Sequence, residues 1–171
     1  MLIFIGGDHA GYKLKETLID YLGGFGHEVI DKGPFEFNPD DDYPDFVRNV
    51  ALAVSDEISP ERAERVEGPI GIVIGGGGQG EAIVCNRVPG IRASVFYGPR
   101  QAVEAVDIAG KQSTDPYETV RLSREHNNAN ILSLGARFVT EDESKQAAKI
   151  FIESKFSGDE RHIRRIKKID K

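Results

Sequence analysis

The chain has 171 residues, 39% of them hydrophobic and 29% charged, enough for one domain built around a single core. A formal net charge of −6 speaks against general attraction to nucleic acid or to an anionic membrane. The lone cysteine, Cys85, excludes an intrachain disulfide, and the opening Met-Leu-Ile-Phe-Ile-Gly-Gly-Asp lacks both the basic region of a signal peptide and the length of a membrane span, so a cytoplasmic address is expected.

Leu2 to Ile5 read as a first buried strand, and Gly6-Gly7-Asp8-His9-Ala10-Gly11 as the glycine corner that follows it. Leu14, Leu18, Tyr21 and Leu22 recur at helical spacing and predict a helix over 12–25, closed by Gly23, Gly24 and Gly26. His27 to Lys32 is a short second strand. A strand, helix and strand in this order cross over right-handed, which makes the sheet parallel. Residues 34–44 read as loop, in which most of the Asp40-Asp41-Asp42 carboxylates are expected to be solvated. Helical spacing resumes through Phe46, Val50, Ala53 and Val54 over 46–58, and 59–68 is a charged connector.

Ile70, Ile72, Val73 and Ile74 then form a β-branched run stopped by Gly75-Gly76-Gly77-Gly78, and Gln79-Gly80-Glu81 opens a helix. A strand's carboxyl end meeting a helix's amino end is a place that holds anions. A Walker A loop is excluded, because Glu81-Ala82 stand where Lys-Ser is required. A dinucleotide fingerprint is formally present in Gly75, Gly77 and Gly80, but it follows an internal strand, and no acidic residue closes the next strand near Tyr97. Two readings stay open: a backbone cradle for a developing oxyanion with Glu81 as acid-base group, or a glycine turn followed by a solvated glutamate. Asp8 and His9 divide the same way, between a helix-capping pair and a site beside the glycine corner.

Further on, 91–96 predicts a fourth strand and 131–134 a fifth, with helical pieces at 100–109 and 117–127 interrupted by 110–116. His126 and Asn127 close the second piece, where a histidine also answers the helix dipole. A last core helix is expected over 141–156. Beyond it the chain turns basic, with Arg161, Arg164, Arg165, Lys167, Lys168 and Lys171 against Asp170. Arg161 and Arg165 share one helical face and suit either a phosphate or a solubilising tail.

Gly-Asp-His-Ala-Gly at 7–11, Asp-Tyr-Pro at 42–44, Asn-Arg-Val-Pro-Gly-Ile-Arg-Ala at 86–93, Arg-Glu-His-Asn-Asn-Ala at 124–129, Leu-Gly-Ala-Arg at 134–137 and Arg-His-x-Arg-Arg-Ile at 161–166 together resemble the type B ribose-5-phosphate isomerases and the related galactose-6-phosphate isomerase subunits, over nearly the whole chain. The resemblance implies a single domain over 1–171 with a three-layer α/β/α Rossmann-like fold, a five-stranded parallel sheet and a C-terminal helical extension, its basic end at 158–171 reaching a partner subunit. It implies an aldose-ketose isomerase working through an enediolate without cofactor or metal, in homodimers or tetramers whose sites draw on both subunits.

Many members carry a catalytic cysteine where Gly75 stands, whereas this chain looks like the actinobacterial-type branch with a glutamate base, here Glu81; Cys85 then reads as a small buried hydrophobe. By resemblance His126 opens the sugar ring, Asp8 bonds hydroxyls near C2 and C3, and Tyr43, Gln79 and the amides of Gly76, Gly77, Gly78 and Gly80 meet substrate or enediolate. His9, Arg137, Arg161 and Arg165 bind phosphate, and Asn127 contacts hydroxyls. Gly77 replaces a common Ser or Thr, and 98–120 is longer than in compact members. Ribose 5-phosphate is the expected substrate; allose 6-phosphate, galactose 6-phosphate, erythrulose 4-phosphate and a non-catalytic sugar-phosphate-binding role are the alternatives.

Overall fold

The computed structural model describes residues 1–58 and 68–169. Most of the charged connector expected at 59–68 therefore lies outside the described residues, as do Asp170 and Lys171. Five strands, β1 (Leu2–Gly7), β2 (Glu28–Asp31), β3 (Ile70–Gly75), β4 (Ala93–Phe96) and β5 (Ile131–Gly135), form one sheet in the order β2-β1-β3-β5-β4. Every pairing is parallel. The helices are α1 (Tyr12–Gly24), α2 (Tyr43–Glu57), α3 (Gln79–Cys85), α4 (Glu118–Asn127), α5 (Glu141–Glu153) and α6 (Glu160–Ile169).

Alternation along the strands sorts the core into two layers, as the two-residue period of a strand requires. Ile3, Ile5, Ile72, Ile74, Leu132 and Leu134 face α1, α4 and α5, meeting Leu18, Leu22, Val120, Ala147 and Phe151. Leu2, Phe4, Val73 and Ile131 face the other way, onto Val47, Val50 and Val54 of α2 and Cys85 of α3. The second layer is thin where α2 crosses the sheet. A Cβ built on Gly6 would stand 2.8 Å from Val50, and one on Gly71 would stand 2.7 Å from Ile131 and 3.1 Å from Val50. Bare strand positions let the helix sit close to the backbone, which is the use of glycine within a strand.

Several boundaries differ from those expected. Helix α2 starts at Tyr43 rather than Phe46, with Pro44 in its first turn, where its fixed φ suits a helix start. Strand β4 starts at Ala93, because Ile91 closes a turn on Val88 and the Arg92 N–H goes to the Asn130 side chain (2.8 Å). Helix α5 stops at Glu153, Ser154 being extended.

The helix expected over 100–109 is absent, and a long loop takes its place. Arg100 N–H donates to Pro116 (2.7 Å), Val106 N–H to Lys111 (2.8 Å) and the Gln101 side chain to Thr114 (3.2 Å), so the segment closes on itself. Val106 is half-buried, but the other large apolar residues find no core to cover: Val103 is 86% exposed and Ile108 87%. Short helices owe most of their stability to a packed apolar face, and one half-buried valine does not make one.

Candidate active site

The strand order reverses between β1 and β3, and a ligand of such a sheet sits outside the carboxyl ends of those strands. The two glycine corners meet there. A Cβ on Gly7 would stand 2.3 Å from the Ile74 carbonyl oxygen, and one on Gly11 2.4 Å, so only glycines allow the β1–α1 loop to lie on the end of β3. Asp8 N–H donates to Ile74 O (3.1 Å), and Asp8 Oδ1 accepts from Gly11 N–H (3.0 Å). Asp8 thus serves the turn with one oxygen while remaining buried beside Glu81.

After β3 the carbonyl oxygens of the glycine run turn toward β5: Gly75 O accepts from Ala136, Gly76 O from Arg137, and Gly78 O from the Ser133 hydroxyl (2.6 Å). The N–H groups of Gly76 and Gly77 donate to no acceptor among the described residues. Gly78 has φ 78°, the left-handed conformation open to glycine, and starts α3. Tyr43 lies over Gly80, where a Cβ would stand 2.8 Å from the phenol oxygen; Gln79 is exposed, its Oε1 2.9 Å from a Cβ built on Gly77.

Glu81 is not the solvated helix-start residue of one sequence reading. It is 4% exposed, and its carboxylate folds back onto Gly75, where a Cβ would stand 1.7 Å from Oε1 and 2.3 Å from Cδ. No side chain fits at 75 while Glu81 holds this place. Burial raises the Glu81 pKa above the usual carboxylate range and the charge of Asp8 adds to the rise, while the N–H groups of Glu81 and Gly78 oppose it. A carboxyl tuned upward, next to N–H groups that no described acceptor takes, has the features of a general base beside an oxyanion cradle.

Cys85 lies in the core with its thiol toward Val47 O (3.6 Å), and burial pushes its pKa up to about 12. It is no nucleophile or base at neutral pH.

His9 and Arg137 border the same corner. A Cβ on Gly76 would stand 3.2 Å from the Arg137 guanidinium, and Arg137 lies within electrostatic reach of His9. The expectation for the aspartate run holds for Asp40 and Asp42, which are exposed, but Asp41 departs from it. Its side chain is 4% exposed and takes the His9 ring at Nδ1 (2.7 Å), a contact between distant loops that a local charge pattern does not reveal.

His126, Asn127, Arg161 and Arg165 form a second group, around α4 and α6. The His126 ring stacks on His162, centroids 4.4 Å apart and planes 15° apart, and Arg161 Nε lies 3.0 Å from His162 Nε2. His126, Arg161, His162 and Arg165 line a cavity closed on one side by Val106, Asp107 and Ile108 of the long loop. Asn127 is exposed at the end of α4, its carbonyl accepting from Arg92 (3.0 Å). Among the described residues no hydrogen bond, ion pair or ring contact joins this group to Glu81, Asp8 and His9. His162, unnamed in the sequence reading, is 3% exposed; burial lowers its pKa, as do His126 and the neighbouring arginines. Helical spacing gave little signal for it: Ile166, four residues on, is half-buried, but Ile169 is exposed, so α6 carries no continuous inward stripe.

Among the described residues no three His, Cys, Asp or Glu side chains are grouped to hold a metal ion, and no helix is long and apolar enough to cross a membrane.

The family model described as ribose/galactose isomerase matches residues 3–112 and 105–169. This chain belongs to the ribose/galactose isomerase family. Among curated relatives of this family member, ribose-5-phosphate isomerase B of Mycobacterium tuberculosis is 36% identical over 166 residues, covering 97% of this chain and 86% of the relative. The Escherichia coli protein of the same name is 34% identical over 167 residues, covering 98% and 93%. Ribose-5-phosphate isomerase B of Mycoplasma genitalium, solved with bound ribulose 5-phosphate, superposes with a TM-score of 0.80 at 34% identity, covering 98% of this chain and 93% of that one. The Clostridium thermocellum structure gives 0.79 at 39% identity, covering 99% and 95%.

Proposed function

We propose that this chain is an aldose-ketose isomerase that interconverts ribose 5-phosphate and ribulose 5-phosphate. The observation that carries the chemistry is the buried Glu81 carboxylate, its pKa raised, lying against Gly75 beside the unengaged N–H groups of Gly76 and Gly77. The carboxylate takes the C2 proton of the open-chain aldose and returns it to C1, while the glycine amides stabilise the enediolate oxygen as charge gathers there. Asp8, with one oxygen committed to Gly11, offers the other to the hydroxyls on which protons must move. His9 and Arg137 take the phosphate. The relatives' shared activity and the ribulose 5-phosphate in the Mycoplasma genitalium structure favour the pentose over six- and four-carbon substrates.

His126, Asn127, Arg161 and Arg165 stand apart from Glu81 within one chain, and this separation supports a site completed by a second subunit, with α6 of the 158–171 segment carrying the arginines across. His126 of the partner opens the sugar ring. The single-domain organisation, the homodimer and the cytoplasmic address form part of this reading. An isomerisation assay across ribose 5-phosphate, allose 6-phosphate, galactose 6-phosphate and erythrulose 4-phosphate tests it: turnover should be largest on the pentose. Preference for another sugar revises the substrate, and binding without any turnover removes the enzyme.

A further inference from the structure

Of the three adjacent aspartates before α2, only Asp41 is taken out of water, with 4% of its side-chain surface left. Burying a carboxylate is unfavourable unless its oxygens are satisfied, so this placement needs a reason. Oδ1 carries all its hydrogen bonding, and both bonds come from His9: the backbone N–H at 3.1 Å and Nδ1 at 2.7 Å. Oδ2 has no partner among the described residues, so nothing else draws on the charge. The loop that carries Asp41 is anchored at its far end. Gly33 O accepts from Gly7 N–H (3.0 Å), and the buried Lys15 donates to Pro34 O (2.8 Å) and to Asp31.

We propose that Asp41 is the positioning residue for phosphate recognition: it fixes the His9 ring with Nε2 as the nitrogen left for substrate, and supplies the counter-charge that lets the ring carry a proton there. The inference rests on reading the site as one for a phosphorylated sugar. Its logic is that of the imidazole itself. With Nδ1–H donated to Asp41, a neutral ring offers phosphate only a lone pair at Nε2, which repels it; a protonated ring offers a charged donor. Arg137, a second cation at the same corner, works against that proton, whereas Asp41 and Asp8 favour it. The groups that face His9 are these three, and the balance is upward, with the Asp41 hydrogen bond as the largest contribution. Two cations can thus share one phosphate because a buried anion stands behind one of them.

The test compares Asp41→Asn with wild type. The ligand-free His9 titration is followed by NMR of the ring carbons, and the affinity for inorganic phosphate is measured at pH 6 and pH 8. The His9 midpoint should fall in the variant, and phosphate affinity relative to wild type at the same pH should drop severalfold at pH 8 and little at pH 6, since a lowered midpoint removes the charged ring at the higher pH and spares it at the lower. Taking ratios cancels the titration of phosphate itself. An unmoved midpoint overturns the proposal, as does an equal loss of affinity at both pH values, the mark of a packing defect. In a His9→Gln background, Asp41→Asn should have no further effect; an undiminished one also overturns it. If Asp41→Asn does not fold, wild type decides, because a His9 midpoint at or below that of an unperturbed histidine side chain, about 6.5, refutes the counter-charge. Turnover of ribose 5-phosphate is recorded separately: its absence beside Asp41-dependent phosphate binding would overturn the isomerase reading and uphold this one.

Discussion

Gly75→Ala adds one methyl group at the point where the structure has least room for it. The new Cβ would stand 1.7 Å from Glu81 Oε1, 2.3 Å from Cδ and 2.9 Å from Cγ. Non-bonded heavy atoms settle near 3.5–4.0 Å, so the carboxylate has to retreat by on the order of 1.5 Å. What it meets is the end of a flexible side chain, which can swing out toward the site without moving β3. The fold should therefore be retained, with the Tm within a few degrees of wild type. Displacing a reacting group by about 1 Å costs about 10²-fold, so kcat on ribose 5-phosphate should fall about 100-fold or more. Coupled assays of ribulose 5-phosphate formation, with Tm measured on the same samples, read both effects. Because the methyl group acts only through Glu81, Gly75→Ala/Glu81→Gln should be no slower than Glu81→Gln alone. Near-normal turnover in Gly75→Ala, or a further large loss in the double variant, would refute the reasoning.

Glu81→Gln should lower turnover by about 100-fold or more yet raise stability at higher pH: a group whose folded pKa is raised supports the fold below its unfolded pKa and loses that support as pH rises through the folded value, so in thermal melts the variant's gain should grow from the unfolded carboxylate range up to the folded value and level off above it. Cys85, with its pKa pushed up to about 12, should resist iodoacetamide in the folded chain, and Cys85→Ala should keep turnover near wild type; rapid modification with loss of activity would contradict its place in the core. Mixing Arg161→Ala with Glu81→Gln should restore activity to at most about half per heterodimer, since one of two symmetric sites is then intact. No recovery after confirmed subunit exchange would place both residues in one subunit's site.

The strands and their corners were legible because they rest on short-range rules, whereas the order β2-β1-β3-β5-β4 came only with the structure. Ile70, Ile72 and Ile74 alternate with Gly71 and Val73, the glycines after β1 and β3 mark sharp corners, and Asp8, His9 and Glu81 lie at those corners. What escaped depends on distant contacts. Asp41 looks like its two neighbours until His9, 32 residues away, comes to it. Lys15, on which helical spacing is silent, is fully buried, with its ammonium 5.3 Å from the Tyr12 ring centroid and 5.9 Å from that of Phe35, and bonded to Asp31. The 100–109 segment has helical spacing but no surface to pack on, and local periodicity carries no information about a missing partner. The exclusion of any side chain at 75 by Glu81 also became visible only in three dimensions, although both residues stand in plain sight in the glycine run.

Isomerisation of ribose 5-phosphate in D2O, followed by NMR in wild type and Glu81→Gln, tests the role of Glu81 most directly. Wild type should form ribulose 5-phosphate and place deuterium at C1 of the ketose and C2 of the aldose, because the proton held by Glu81 exchanges with solvent during the enediolate's life. Glu81→Gln should lose conversion and deuterium incorporation together, each by about 100-fold or more. Conversion and exchange at wild-type rates in Glu81→Gln would contradict the assignment of the base.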